Sequence, residues 1–145
     1  MSLQDWLRNG WLVAHQASPQ EVADLLGVAR RDLQDAQTSG LSADWRLSIA
    51  YNAALQLAVA ALAASGYRAS RDAHHYRVIE SLALTIGTDR KTVSTFDAFR
   101  KKRNQTGYER AGMTSEQEVK EMLRLAQSLH KLVLDWLEKE HPELV

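Results

Sequence analysis

The chain has 145 residues, with 18 Lys plus Arg balanced by 18 Asp plus Glu, a pI near 7.0 and no cysteine. Zero formal charge excludes a whole-molecule field that holds the protein on nucleic acid or anionic lipid, so any such binding has to be local. The lack of cysteine excludes disulfides, thiolate metal sites and a cysteine nucleophile and suits a reducing cytosol, and 45% hydrophobic with 25% charged residues is the usage of one ordinary globular domain.

The N-terminal MSLQDWLRNGW lacks a basic region followed by an apolar run, so no secretory signal is expected. A short first helix, Leu3 to about Leu7, is expected to dock through Trp6. Ser18, Pro19 and Glu21 then read as N-cap, first helical residue and capping-box acid of a helix running to about Gln37. Gly27 lies inside it, where glycine costs about 1 kcal/mol relative to alanine, and close packing or a kink is the expected reason.

Gly40 breaks the chain, Ser42 caps a third segment and Gly66 ends it, giving roughly 24 residues or about 36 Å of helix. Within it, Leu47 to Tyr67 runs 21 residues without a charge, long enough to cross a bilayer. Only six of those residues are Leu, Ile or Val, eight are Ala, and Ser48, Asn52 and Gln56 repeat at every fourth position. A lipid-facing helix does not usually carry such a stripe, whereas the spine of a helical bundle accommodates it, so no membrane span is expected. The stripe itself reads as a solvent-facing edge, or else as partners for Arg103.

Arg71 to Ile86 carries Tyr76, Ile79, Leu82, Ala83 and Ile86 at helical spacing before Gly87. Asp89 to about Gly107 follows, with Val93, Phe96 and Phe99 inward. Thr114 with Gln117 reads as a second capping box, opening a last helix marked by Val119, Met122, Ala126, Leu129, Val133 and Leu137 and ending before Pro142. No strand is expected. Short connections between long helices predict an all-α, antiparallel up-and-down bundle of four to five long helices plus the short N-terminal one.

Charge is uneven along this plan. Arg90 to Arg110 holds seven basic residues against Asp97 and Glu109, while from Thr114 onward seven acidic residues face four basic ones. The basic segment fits a phosphate-contacting patch, and equally a solvated helix end, where cations are favoured. His74 and His75 are adjacent, so on a helix they diverge by about 100° and do not form a metal pair; no metal site is expected. His15, His130 and His141 are isolated. Within FRKKRNQTGYE, Arg103 returns to within roughly 20° of Phe96 on the apolar face. A guanidinium there has to find a partner, reach solvent or serve a site.

Placed at the end of a penultimate long helix in a small all-helical chain, Arg103 makes the sequence resemble a HEPN domain, the higher eukaryote and prokaryote nucleotide-binding family. That family's motif is Arg, usually a polar residue next, then His after four to six intervening residues. Here the run is Arg103, Asn104, Gln105, Thr106, Gly107, Tyr108: arginine, polar neighbour and spacing match, and tyrosine stands at the histidine position. AYNAALQLAVAAL and HHYRVIESL also resemble central helices of bacterial members, so the resemblance spans roughly Ser18 to Trp136.

The resemblance implies one cytoplasmic domain over 1–145 that forms a homodimer in which two motif copies meet in a cleft. It implies metal-independent, cofactor-free ribonuclease chemistry, and a small nucleotidyltransferase as partner in a toxin and antitoxin pair. Arg103, with Asn104 beside it, then stabilises charge on a phosphate attacked by a 2′-hydroxyl, position 108 moves the proton, and Arg100, Lys101, Lys102 and Arg110 contact nucleic acid. Tyrosine, with a pKa near 10, is a poor base at pH 7. Three readings follow: a weak or inactive module that binds RNA or a partner, which is favoured; an active ribonuclease using Tyr108 or another group; or a Tyr108 that the nucleotidyltransferase modifies. An unrelated helical-bundle interaction protein is the remaining alternative.

Overall fold

The computed structural model describes residues 1–104 and 112–145. Its elements are α1 (Leu3–Arg8), β1 (Leu12–Ala14), α2 (Pro19–Asp35), α3 (Ala43–Ala64), β2 (Tyr67–Ala69), α4 (His74–Thr85), α5 (Arg90–Asn104), α6 (Glu116–Glu140) and a closing 3₁₀ turn, Pro142–Leu144. The protein is predominantly helical, as the periodicity predicts.

The helices start where short polar side chains take over the orphan amides of a first turn. Ser18 Oγ accepts from Glu21 N at 3.1 Å and Ser42 Oγ from Trp45 N at 3.2 Å. Glu21 does not return to complete a capping box. Its carboxylate instead meets His15 Nε2 at 2.8 Å, tying the segment before α2 to its first turn. The second box also differs from expectation: the cap is Ser115 with Glu118, one residue beyond Thr114 and Gln117, with Ser115 N donating to Glu118 Oε1 at 2.9 Å.

α3 is the spine. Leu47, Tyr51, Leu55, Leu57, Leu62 and the intervening alanines are buried on nearly every side. It packs against α2, α4 and α6, and α5 leans on α4 and α6. A helix apolar all round requires such enclosure, and its alanines let the neighbours approach closely. The segment is long and apolar enough to cross a membrane, yet 67% of that stretch is buried inside the protein.

One element departs from the helical plan. Leu12–Ala14 and Tyr67–Ala69 form a two-stranded antiparallel ribbon, Leu12 opposite Ala69 and Ala14 opposite Tyr67. Gly66, at φ +100°, turns the chain out of α3, and its carbonyl accepts from His15 N at 2.9 Å. A side chain is disfavoured at that φ. The ribbon brings α1 against α4: Arg77 lies 3.7 Å above the Trp11 ring, and Trp6 meets Trp11 edge-on at 5.8 Å.

Two smaller expectations are corrected. Among the described residues, nothing from a neighbouring element lies within 4 Å of where a Gly27 Cβ would stand, so helix packing does not demand glycine there. The Ser48, Asn52, Gln56 stripe faces neither open solvent nor Arg103. It is half-buried, Gln56 Nε2 donates to Asn52 Oδ1 at 3.3 Å, and Asn52 Nδ2 donates to buried Asp32 of α2 at 2.6 Å. Asn52 thus ties α3 to the buried Asp32 carboxylate of α2, the kind of partner that group requires.

Candidate functional site

α5 presents Val93, Phe96 and Phe99 to the core, as their spacing predicts, and α4 buries Val78, Ile79 and Leu82. The two helices are joined by Arg90, whose guanidinium straddles the Glu80 carboxylate at 2.7 and 3.1 Å. At the other end of the pair, the last turn of α5 lies beside the first turn of α4. The juxtaposition creates a cleft of about 460 Å³, lined by Ala73 at the cap of α4, by His74, His75 and Tyr76 of α4, and by Arg100 and Asn104 of α5.

Arg103 continues the inward stripe. Its guanidinium sits 5.1 Å from the centroid of the Tyr51 ring on α3, and Phe96 meets the same ring edge-on at 5.6 Å and 78°. Tyr51 is 1% exposed, so the stack is screened from water on the spine side, where a cation–π contact is worth about 1–2 kcal/mol. That is the partner a guanidinium on an apolar face needs. From the far edge of the ring, Tyr51 Oη reaches His75 Nδ1 at 3.2 Å. Arg103, Tyr51 and His75 thus form a chain of contacts from α5 through α3 to α4.

The electrostatics follow from burial and the nearby arginines. Burial pushes the Tyr51 hydroxyl up to about 12, against the opposing pull of Arg103 and Arg100, so it is protonated throughout the physiological range. The His75 imidazole is pushed below its ordinary value, first by burial, then by the charges of Arg103, His74 and Arg100. At neutral pH it is an uncharged imidazole, fixed through one nitrogen. Nε2 has no protein partner among the described residues. Arg100 is held from behind, Nε donating to buried Asp97 at 2.6 Å, and lies 5.5 Å from the Tyr76 ring.

The residues singled out in the sequence divide. Arg100 and Asn104 line the cleft, and Arg103 stacks beside it. Lys101 is exposed and lies 3.7 Å from Asp97. Lys102 pairs with Glu118 on α6, so its charge is directed to the neighbouring helix. Tyr108 and Arg110 lie outside the described residues. His74, His75, Tyr51 and Tyr76 were not expected at a site. The adjacency of the two histidines speaks only against a metal pair, and their ring centroids are 5.9 Å apart at 60°. Among the described residues no three His, Asp or Glu side chains converge on a common point.

Exposed His74 also borders a second recess of about 250 Å³, where Arg68 and Arg71 stand over an apolar floor of Val59, Leu62 and Val78. The two hollows meet at that histidine. One lies between α4 and α5, the other between α4 and the α3–β2 segment. No family model matches this chain, and comparisons with curated proteins and with solved structures return no match.

Proposed function

We propose that this chain is a HEPN-like module, an antiparallel up-and-down bundle of the cytoplasm that binds single-stranded RNA at the α4–α5 cleft. In this reading it is a weak relative of the metal-independent ribonuclease toxins. It acts as a homodimer with the two Arg103 side chains near the twofold axis, and a small nucleotidyltransferase is its partner in a toxin and antitoxin pair. The observation that carries the reading is Arg103 itself. It is stacked on Tyr51 beside a cleft lined by Arg100, Asn104 and two histidines, where a bound phosphate would meet the Arg100 guanidinium held in place by Asp97.

The experiment is fluorescence anisotropy of the full chain with a mixed-sequence single-stranded RNA between about 50 and 200 mM salt. The reading expects affinity to fall linearly on a logarithmic scale with salt. Arg100→Ala and Arg103→Ala each weaken binding, and each lowers the salt slope by about 1 if it removes one phosphate contact. Binding that is absent at low salt, or present and indifferent to both substitutions, overturns the reading. Sedimentation tests the dimer separately: a monomer at tens of micromolar contradicts a shared cleft.

A further inference from the structure

We propose that His75 is the proton-transfer residue of this cleft, acting on the 2′-hydroxyl of bound RNA. The inference rests on the RNA-binding reading of the same cleft.

The geometry is specific to this fold. His75 lines the cleft together with Arg100 and Asn104, and its Nδ1 meets the hydroxyl of Tyr51, whose ring is held by Phe96 and Arg103. A base needs an oriented ring, a free nitrogen, a neutral form at working pH and a cation near the developing phosphate charge. In the tautomer whose Nδ1–H donates to Tyr51 Oη, the Nε2 lone pair is the free site. Burial and the neighbouring arginines keep the ring neutral. Arg100 is pre-oriented by Asp97, so it does not have to be ordered when RNA arrives.

The step balances without a metal or redox partner. His75 Nε2 takes the 2′-hydroxyl proton as the 2′ oxygen bonds to the adjacent phosphorus. The bond from phosphorus to the 5′ oxygen breaks, its electron pair leaves on that oxygen, and a proton from solvent completes a 5′-hydroxyl. The other product is a 2′,3′-cyclic phosphate, and the imidazolium returns its proton to solvent. Tyr51 touches no reacting atom and is a positioning residue.

The test uses the full chain in EDTA with 5′-labelled single-stranded RNA, and an all-deoxy strand of the same sequence to read binding without cleavage. Wild type is expected to cleave slowly, leaving cyclic phosphate ends. His75→Gln, which retains a side chain able to meet Tyr51, is expected to lose about 10²-fold or more in rate, with an unchanged melting temperature and binding within twofold. His74→Gln is expected to lose far less. Tyr51→Phe is expected to move the acidic limb of the pH–rate profile. That limb belongs to His75 as set by Tyr51 on α3, His74 and Tyr76 on its own helix, and Arg100 and Arg103 on α5. A folded His75→Gln that cleaves at the wild-type rate overturns the assignment. Wild type that binds but does not cleave also overturns it, while leaving the binding reading intact. No binding overturns both.

Discussion

Replacing Tyr51 separates the two roles assigned to it. Its ring is 1% exposed, meets Phe96 edge-on and carries the Arg103 guanidinium, so Tyr51→Ala removes a fully enclosed aromatic side chain. Such truncations cost about 3–5 kcal/mol. For a chain of this size each kcal/mol lowers Tm by roughly 2–4 °C, which gives a fall of roughly 6–20 °C. Tyr51→Phe keeps the ring and both of its contacts and loses only the bond to His75 Nδ1, worth about 0.5–1.5 kcal/mol net. Half-exposed His75 then turns to water, and Tm falls by only a few degrees. Thermal melts followed by circular dichroism, with urea titrations for the free energies, read both values. A double-mutant cycle adds a sharper arm: Arg103→Ala couples to Tyr51→Ala by about 0.5–2 kcal/mol and adds simply to Tyr51→Phe, because the cation sits on the ring and not on the hydroxyl. If Tyr51→Ala costs less than about 1 kcal/mol, or Arg103 shows no coupling to the ring, the enclosed stack described here is refuted.

His75 and His130 are both pushed below the ordinary histidine value by burial, aided by Arg103, His74 and Arg100 in the first case and by Arg30 in the second. The folded state then binds fewer protons than the unfolded one, so stability is complete above pH 6.5 and declines as pH falls from there through the folded values; melts between about pH 7.5 and 5.5 check the sign, and combining His75→Gln with His130→Leu flattens the profile. His130 Nε2 is buried without a hydrogen-bond partner among the described residues, so His130→Leu alone is expected to be neutral or stabilising by about 1 kcal/mol at pH 7.5, read by urea titration. Gly27→Ala fills open space within a helix and is expected to raise stability by about 1 kcal/mol, again by urea titration; destabilisation contradicts the open surroundings. From the family resemblance, Tyr108→His is expected to speed metal-free RNA cleavage, and adding Arg103→Ala to remove that gain, in the same labelled-RNA assay.

The helices were legible because their determinants are local. Ser18, Ser42 and Gly66 act within a few residues of themselves, and Val93, Phe96 and Phe99 declare a face by spacing alone. Thr114–Gln117 and Ser115–Glu118 both satisfy the same capping pattern. The second is adopted, with a carboxylate that accepts more strongly than an amide and is favoured at a helix N-terminus. The α4 start at His74, instead of Arg71, follows from Ala73 at φ 53°, a conformation that alanine does not advertise. The ribbon escaped notice because three-residue strands such as Leu12–Ala14 show no alternation to read. The polar stripe was visible as one face of a helix, but periodicity does not say that Asp32 lies opposite. At the site, Arg103, Asn104 and Arg100 were legible from position and charge. His75 was not, since its tie to Tyr51 spans 24 residues and depends on how α3 and α4 pack.

The most direct measurement of the central claim follows the imidazole nitrogens of the five histidines by long-range ¹H–¹⁵N NMR while the all-deoxy strand, which binds without being cleaved, is added. If the α4–α5 cleft is the site, the His74 and His75 resonances move and saturate together, Arg100→Ala with Arg103→Ala abolishes the change, and His15, His130 and His141 stay in place. Movement confined to those three, or none at concentrations where anisotropy reports binding, contradicts the assignment of this cleft.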